Sequence, residues 1–122
     1  MTTTLADMQE HVTLICEQNE ILINYGARSG KAWGSRALGE IHVPQVKSPR
    51  SYATVLHEIG HILGRHQDSD IILVRERWAW EWARRNALIW TPTMQRYSAW
   101  CLEYYERKPR AKMKNVIEMS EA

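Results

Sequence analysis

Apolar residues recur every three or four positions in four segments of the chain, a spacing that gathers them on one face of a helix. The predicted helices cover residues 4–19, 51–63, 70–88 and 91–107. Two short runs of β-branched and alternating apolar residues lie between the first two helices and predict strands over residues 21–25 and 37–43. The glycines between these runs predict a loop or hairpin turn over residues 26–34.

Local signals set the ends of the predicted helices. Thr3 or Thr4 can cap the first helix, and Gly64 can end the second. Thr91 followed by Pro92 is a typical start for the fourth. The pattern therefore predicts an α+β fold with about four helices and a short antiparallel sheet that precedes the second helix. We expect one domain over residues 1–107 and a charged C-terminal tail over residues 108–122.

The composition is that of an ordinary soluble protein, with 44% hydrophobic and 25% charged residues. No apolar run is long enough to cross a bilayer, and the first residues lack the basic and apolar regions of a secretory signal. Cys16 and Cys101 lie far apart within helical patterns, which favours reduced thiols over a disulfide and predicts a cytoplasmic protein. The net charge of +2 is too small to indicate a nucleic-acid partner by itself.

The second predicted helix contains the sequence His57-Glu58-Ile59-Gly60-His61, which matches the pattern H-E-x-x-H. Residues four apart lie on the same face of a helix, so both imidazoles can point at one cation. Zinc suits imidazole ligands, and a catalytic zinc keeps three protein ligands and one open position. Glu58 can reach a water molecule in that position and act as a general base. The pattern predicts a zinc hydrolase, with a peptidase as the first hypothesis.

A pattern this short also occurs by chance, because exposed helices often contain His and Glu. Here the neighbours of the motif are apolar or small, so the helix is predicted to be buried on most sides. Unpaired polar side chains would be costly in such a setting, and a metal ion removes that cost. The context therefore favours a metal site over a chance match.

A third metal ligand has to come from outside the motif. His66 is one candidate, because some zinc peptidases extend the motif to H-E-x-x-H-x-x-G-x-x-H. Gly64 stands where that pattern requires glycine, but the sixth residue after His61 is Gln67, and His66 falls one position early. This departure disfavours His66 as a ligand and predicts a surface or accessory role for it.

Glu76 and Glu81 on the third predicted helix are the other candidates. At 100° per residue, Glu76 lies on the apolar face of that helix, whereas Glu81 lies about 140° away. Glu81 is flanked at helical spacing by three arginines, as expected of a solvated ion-pair residue: Arg77, Arg84 and Arg85. A carboxylate on the apolar face needs a partner, which zinc would supply. We therefore favour Glu76 as the third ligand, although a core-facing Glu can also pair with arginine or cap a backbone.

Three segments of the chain carry a resemblance to a known family. They are Ile41-His42-Val43, His57-Glu58-Ile59-Gly60-His61 and Glu76-Arg77-Trp78-Ala79-Trp80-Glu81-Trp82-Ala83. These segments resemble the ImmA/IrrE-type metallopeptidases, a gluzincin-like family often encoded by phage and other mobile elements. The resemblance implies a small zincin-like domain, Zn²⁺ bound by His57, His61 and Glu76, and Glu58 as the base. It also implies a protein substrate, such as a repressor or another regulator.

As a peptidase, the chain would use a zinc-activated water to attack the peptide carbonyl, and Glu58 would pass the proton to the leaving nitrogen. The exposed edge of the strand over residues 37–43 would hold an extended protein or peptide substrate. Three side chains are candidate donors to the transition state, and the sequence does not choose among them: His42, Tyr52 and Tyr97.

Two other functions stand beside the peptidase. The chain could be a metal-containing regulatory module that binds a protein or nucleic-acid partner without proteolysis, with the basic residues of the predicted tail as a contact surface. A purely structural zinc is disfavoured, because such sites usually have four protein ligands and favour cysteine. Neither cysteine is close to the motif in sequence.

Overall fold

The structure, a computed structural model, describes residues 2–107 of the chain. It contains four α-helices and a three-stranded sheet, so the predicted α+β fold is confirmed. In chain order the elements are α1 (Leu5–Gln18), β1 (Leu22–Tyr25), β2 (Trp33–Ser35), β3 (Glu40–Val43), α2 (Pro49–Leu63), α3 (Ile72–Asn86) and α4 (Pro92–Arg107). The predicted C-terminal tail, residues 108–122, lies outside the described residues.

Polar side chains explain where the first two helices begin. The hydroxyl of Thr4 accepts from the backbone N–H of Asp7, and the Asp7 carboxylate accepts from the N–H of Thr4. Ser48 and Ser51 form the same reciprocal cap at α2, and Pro49 occupies the first helical position. As a result, α2 begins slightly before the start that its apolar pattern predicts.

The sheet is mixed, so the prediction of an antiparallel sheet is wrong. The strand order is β1-β3-β2, with β1 parallel and β2 antiparallel to β3. β2 falls largely in the segment predicted as a loop, and a turn folds it back onto one edge of β3. β1 pairs with the opposite edge of β3. The segment between β1 and β3 is long enough for the crossover that parallel neighbours require. Both edges of β3 are therefore paired, and the prediction that residues 37–43 offer an exposed edge is also wrong.

Helix α2 lies at the centre of the fold and packs against the sheet and the three other helices. Ile41 and Val43 alternate on the inner face of β3 and are fully buried, whereas Glu40 and His42 point to the other face. Further core residues come from the three surrounding helices: Met8, Val12, Cys16, Trp80, Ala83 and Met94. The motif helix is thus buried on most sides, as its sequence predicts.

Two further observations bear on the class of protein. None of the helices in residues 2–107 combines the length and the hydropathy that a membrane span requires. Cys16 is buried and Cys101 is partly buried, and both are free thiols. The prediction that these cysteines do not form a disulfide with each other is confirmed.

Candidate metal centre

Three side chains converge between α2 and α3. His57 and His61 project from successive turns of α2, and Glu76 faces them from the buried face of α3. Glu76 Oε2 lies 2.7 Å from His57 Nε2 and 3.3 Å from His61 Nε2. One ligand atom from each residue lies within 4.8 Å of the other two, and no other group in residues 2–107 meets this condition. The structure thus brings together the three residues that the sequence predicts as ligands.

The site is mostly closed to solvent and strongly charged. The side chains of His57, His61 and Glu76 are 12%, 17% and 9% exposed. Burial lowers the pKa of His57, but the hydrogen bonds and charges of Glu58 and Glu76 outweigh it and raise the pKa to about 9. Burial raises the pKa of Glu76, but the hydrogen bonds and charges of the two histidines outweigh it and lower the pKa to about 2. The Glu76 carboxylate is therefore ionised and stabilised by positive charge.

A glycine in the motif lets α2 and α3 approach closely. Gly60 lies between the two histidines along α2 and faces the backbone of Ala79 on α3. A Cβ at position 60 would overlap the carbonyl oxygen of Ala79, so a larger residue would push the helices apart. Ala79 follows Glu76 by almost one helical turn. This contact therefore keeps the Glu76 carboxylate within reach of both imidazoles.

Gln67 fixes the ring of His61. Its amide nitrogen donates to the backbone carbonyls of Arg65 (3.1 Å) and Arg75 (2.9 Å). The amide oxygen is then the atom that lies 2.9 Å from His61 Nδ1, so this ring nitrogen must carry a proton and donate it. The lone pair of neutral His61 is left on Nε2, directed toward Glu76. A metal ligand needs this tautomer.

The donor set fits zinc. Two imidazoles and one carboxylate are the ligands of one class of catalytic zinc sites. Tetrahedral zinc with bonds of about 2.0–2.2 Å places neighbouring ligand atoms roughly 3.4 Å apart. The 3.3 Å between His61 Nε2 and Glu76 Oε2 is close to this length, and the 2.7 Å between His57 and Glu76 would have to lengthen. All three ligand atoms lie within 4.8 Å of one another, so the pair that is farthest apart would have to move closer together. A divalent cation would take over from the histidines the role of stabilising the ionised Glu76 carboxylate.

Glu58 and Trp80 border this group of ligands. Glu58 is 6% exposed, and its Oε2 lies 3.3 Å from His57 Nδ1. The indole of Trp80 stacks on the His57 ring, with centroids 4.1 Å apart and planes at 11°. Trp80 is itself 4% exposed and meets Trp90 and Tyr97 edge to face. Its buried indole N–H has no hydrogen-bond acceptor among residues 2–107, so packing against neighbouring rings holds it in place there. The stack fixes the plane of the His57 ring.

We expect Gln67→Leu to weaken zinc binding about 10–100-fold, because His61 loses the acceptor that sets its tautomer and orientation. The affinity is measured by competition with a chromogenic chelator. Gln67→Glu keeps an acceptor for His61 Nδ1 and should bind zinc more tightly than Gln67→Leu. Gln95→Leu, which alters an exposed glutamine on α4, serves as the matched control. Equal affinities for Gln67→Leu and the unmodified protein would contradict this role.

His42 faces away from the metal ligands. The side chains on either side of it in β3 point to the core, so His42 lies on the outer face of the sheet. There it stacks on Trp33 with ring centroids 4.0 Å apart, and its Nε2 lies 2.9 Å from Glu40 Oε1. The structure does not bring this candidate donor to the site.

Tyr52 and His66 also lie apart from the metal ligands. The buried Tyr52 hydroxyl accepts from the Leu88 N–H at 3.0 Å, and a second hydrogen bond of 2.6 Å joins it to His11 Nδ1. The hydroxyl therefore already has two hydrogen-bond partners within the core. His66 adopts a left-handed backbone conformation (φ 58°) in the turn after α2, and its ring packs on Trp78 with centroids 4.8 Å apart.

Tyr97 is the accessory candidate that reaches the neighbourhood of the site. Its ring meets Trp80 at 88°, with centroids 5.9 Å apart. A hydrogen bond of 3.2 Å joins its hydroxyl to that of Thr54, which precedes His57 by almost one turn of α2. Tyr97 thus contacts both the helix that carries the histidines and the ring that covers one of them.

Glu81 lies on the exposed side of α3, as its angular position predicts. It pairs with Arg84 at 2.8 Å and more loosely with Arg85 at 3.8 Å. Sequence reasoning misses the roles of Gln67 and Trp80. Gln67 occupies the position where the extended motif would have its third His, and Trp80 follows Glu76 by four residues on the apolar face. These positions indicate proximity to the site but not which atoms the side chains contact.

No family of proteins matches this chain, and curated proteins and solved structures give no match either. The resemblance to the ImmA/IrrE-type peptidases is therefore supported only by the motifs quoted above. Evidence for the chemistry of the site comes from the arrangement of its own side chains: His57, Glu58, His61 and Glu76.

Proposed function

We propose that the protein is a zinc-dependent metallopeptidase that acts on a protein or peptide substrate. The convergence of His57, His61 and Glu76 beside the buried carboxylate of Glu58 carries this proposal. Zinc bound there would polarise the scissile carbonyl and lower the pKa of a bound water toward about 7. A structural ion fits less well, because no fourth His, Cys, Asp or Glu joins the group within the described residues.

Glu58 is well placed to act as the general base. It directly follows His57 in α2, and its side chain is almost fully buried. Within residues 2–107, no lysine or arginine forms an ion pair with it. Its ion-pair partner there is His57, and a metal ion bound to His57 would take the place of the extra proton on that ring. The Glu58 carboxylate could then accept a proton from the attacking water and deliver it to the leaving nitrogen.

The edge strand β2 is the part of the sheet best suited to hold an extended substrate. Because β3 is central, the open edges of the sheet belong to β1 and β2. Gly34 of β2 packs against the backbone carbonyl of Glu58, and a Cβ at position 34 would overlap that oxygen. A peptide that adds to β2 as a further strand would therefore pass close to the base.

Helix α4 supplies the remaining candidate donors to the transition state. Tyr97 contacts Trp80 and Thr54, as described above. Tyr105 lies about two helical turns further along α4 and is partly buried. A phenol that stays protonated at neutral pH can donate a hydrogen bond to a developing oxyanion. We therefore assign the donor role to α4, in place of His42 and Tyr52.

Metal analysis and a peptide digest test this function together. We expect about one zinc ion per chain after zinc loading, and cleavage of peptides in a mixed library that a chelator stops and added zinc restores. Protein that stays metal-free in zinc-supplemented buffer would contradict the proposal. Zinc-loaded protein that binds library peptides but cleaves none would instead support a regulatory binding module.

A further inference from the structure

The face of α2 that carries the metal ligands continues toward the start of the helix. Arg50, Thr54, His57 and His61 follow one another at intervals of four, three and four residues, so they form a single stripe. Arg50 and His57 lie two turns apart, which corresponds to about 10 Å along the helix axis. Thr54, in the middle of the stripe, is 3% exposed and bonds to the Tyr97 hydroxyl, so a ligand that reaches both the metal ligands and Arg50 has to pass over Tyr97.

Arg50 is a cation without a carboxylate partner in the described part of the chain. Its guanidinium lies over the ring of Tyr97, 4.4 Å from the centroid. Among residues 2–107, no carboxylate oxygen lies within 4.0 Å of it, a property that it shares with several other arginines, such as Arg96. Stacking on an aromatic ring positions the guanidinium and leaves its N–H groups able to donate to a ligand.

A path of aromatic rings leads from the metal ligands to the surface beside Arg50. Trp80 stacks on His57, Tyr97 meets Trp80 edge to face, and Trp100 stacks on Tyr97 with centroids 6.4 Å apart. Exposure rises from 4% for Trp80 to 65% for Trp100. Trp, Tyr and Arg are the residue types enriched among the side chains that contribute most to binding at protein interfaces.

We propose that Arg50 and Trp100 form a recognition site for a carboxylate on the peptide substrate, an inference that rests on the proposed peptidase function. An extended peptide advances about 3.3 Å per residue, so the distance from His57 to Arg50 corresponds to about three residues. The bound carboxylate lies about three residues from the scissile bond, and an adjacent apolar side chain packs on Trp100.

Charge complementarity places the carboxylate at Arg50 rather than nearer the metal ligands. Glu58 and Glu76 would repel a second negative group at the buried end of the stripe. The guanidinium at the other end can donate two parallel hydrogen bonds to a carboxylate. The side chain of Asp or Glu and the C-terminus of a peptide present the same pair of oxygens, so both belong to this ligand class.

Peptide binding tests the proposal with hydrolysis removed. Zinc-loaded Glu58→Gln protein is titrated with peptides that share one neutral sequence and carry a single Glu, or its Gln counterpart, at successive positions. At one position we expect the Glu peptide to bind about tenfold more tightly than the Gln peptide. The ratio should fall to about one when Arg50→Gln is added. Arg96→Gln is the matched control, because Arg96 is an exposed arginine of α4 that donates to Thr93, and it should leave the ratio unchanged.

Cleavage mapping with the unmodified protein then locates the carboxylate relative to the cut, with Glu expected about three residues away. Peptides that end at this position, prepared as free acids and as amides, show whether the C-terminal carboxylate serves as well as the side chain. A Glu-to-Gln ratio of about one, or a preference that survives Arg50→Gln, overturns the proposal even if the peptidase function is confirmed. An Arg50-dependent preference without any hydrolysis supports this recognition site and contradicts the peptidase function.

Discussion

Glu58→Gln is expected to give a protein that binds zinc as the unmodified chain does but hydrolyses peptides about 10³-fold more slowly. The carboxylate of Glu58 is not among the three ligand atoms that converge, so the metal should remain bound. Glutamine has nearly the same shape but cannot accept a proton at neutral pH. The expected loss is therefore in the chemical step, and it should appear in kcat more than in KM.

Two further variants make the Glu58→Gln result specific. His61→Ala removes a proposed ligand and should lose both zinc and hydrolysis. Glu81→Gln changes an exposed carboxylate on α3 and should lose neither. The zinc content and kcat/KM are measured on the same samples, with a peptide identified in the library digest. An unchanged kcat/KM for Glu58→Gln would contradict the role of Glu58 as the base, and loss of zinc in that variant would instead assign the residue to metal binding.

The helices could be predicted from the sequence because each combines a clear apolar period with local end signals. All four lie within two residues of their predicted bounds at both ends. Thr91 and Pro92 illustrate this: the Thr91 hydroxyl accepts from the N–H of Met94, and Pro92 begins α4. These signals depend on contacts between near neighbours in the chain, so they can be read without knowledge of the fold.

The polarity of the sheet could not be predicted in this way. β2 has only three residues, Trp33–Ser35, and the pairing of Gly34 with Ile41 is what holds it as a strand. Its sequence contains a glycine, which by itself indicates a turn. Whether β1 joins β3 as a parallel or an antiparallel neighbour depends on the path of the chain between them, and here β2 lies within that connection and pairs with the other edge of β3. That information lies in tertiary pairing and not in the period of either strand.

For the candidate site, the sequence could predict which face of a helix carries each residue, but not which atoms the side chains contact. The 100° period places Glu76 on the buried face of α3 and Glu81 on the exposed face, and the structure has both there. The tautomer of His61 could not be predicted, because it depends on Gln67 in the turn after α2 and on the carbonyl of Arg75 in α3. Such contacts arise only when two elements pack at a definite distance.

Gly60→Ala is expected to lower the Tm of the metal-free protein by about 10 °C, because the added methyl group meets a backbone oxygen that no rotamer change can move. Alanine favours helix formation by up to about 1 kcal/mol relative to glycine, which offsets part of the steric cost. Overpacking of a tightly packed interface costs about 1–3 kcal/mol or more. The net effect is destabilising because the steric cost of this close contact between α2 and α3 exceeds the gain in helix propensity. Gly30→Ala is the matched control, because a Cβ at position 30 meets nothing within 4 Å, and its Tm should be unchanged.

The same substitution should weaken zinc binding at least about tenfold, because separation of α2 and α3 draws Glu76 away from His57 and His61. Thermal unfolding gives the stability of both glycine variants, and competition with a chelator gives their zinc affinities. An unchanged Tm for Gly60→Ala would contradict the close packing of the helices. A lower Tm with unchanged zinc affinity would show that the metal site does not depend on this contact. Other contacts of α3 would then have to hold the Glu76 carboxylate near the two histidines. A parallel loss of both quantities would show that the small residue within the motif is as much a part of the site as the histidines on either side of it.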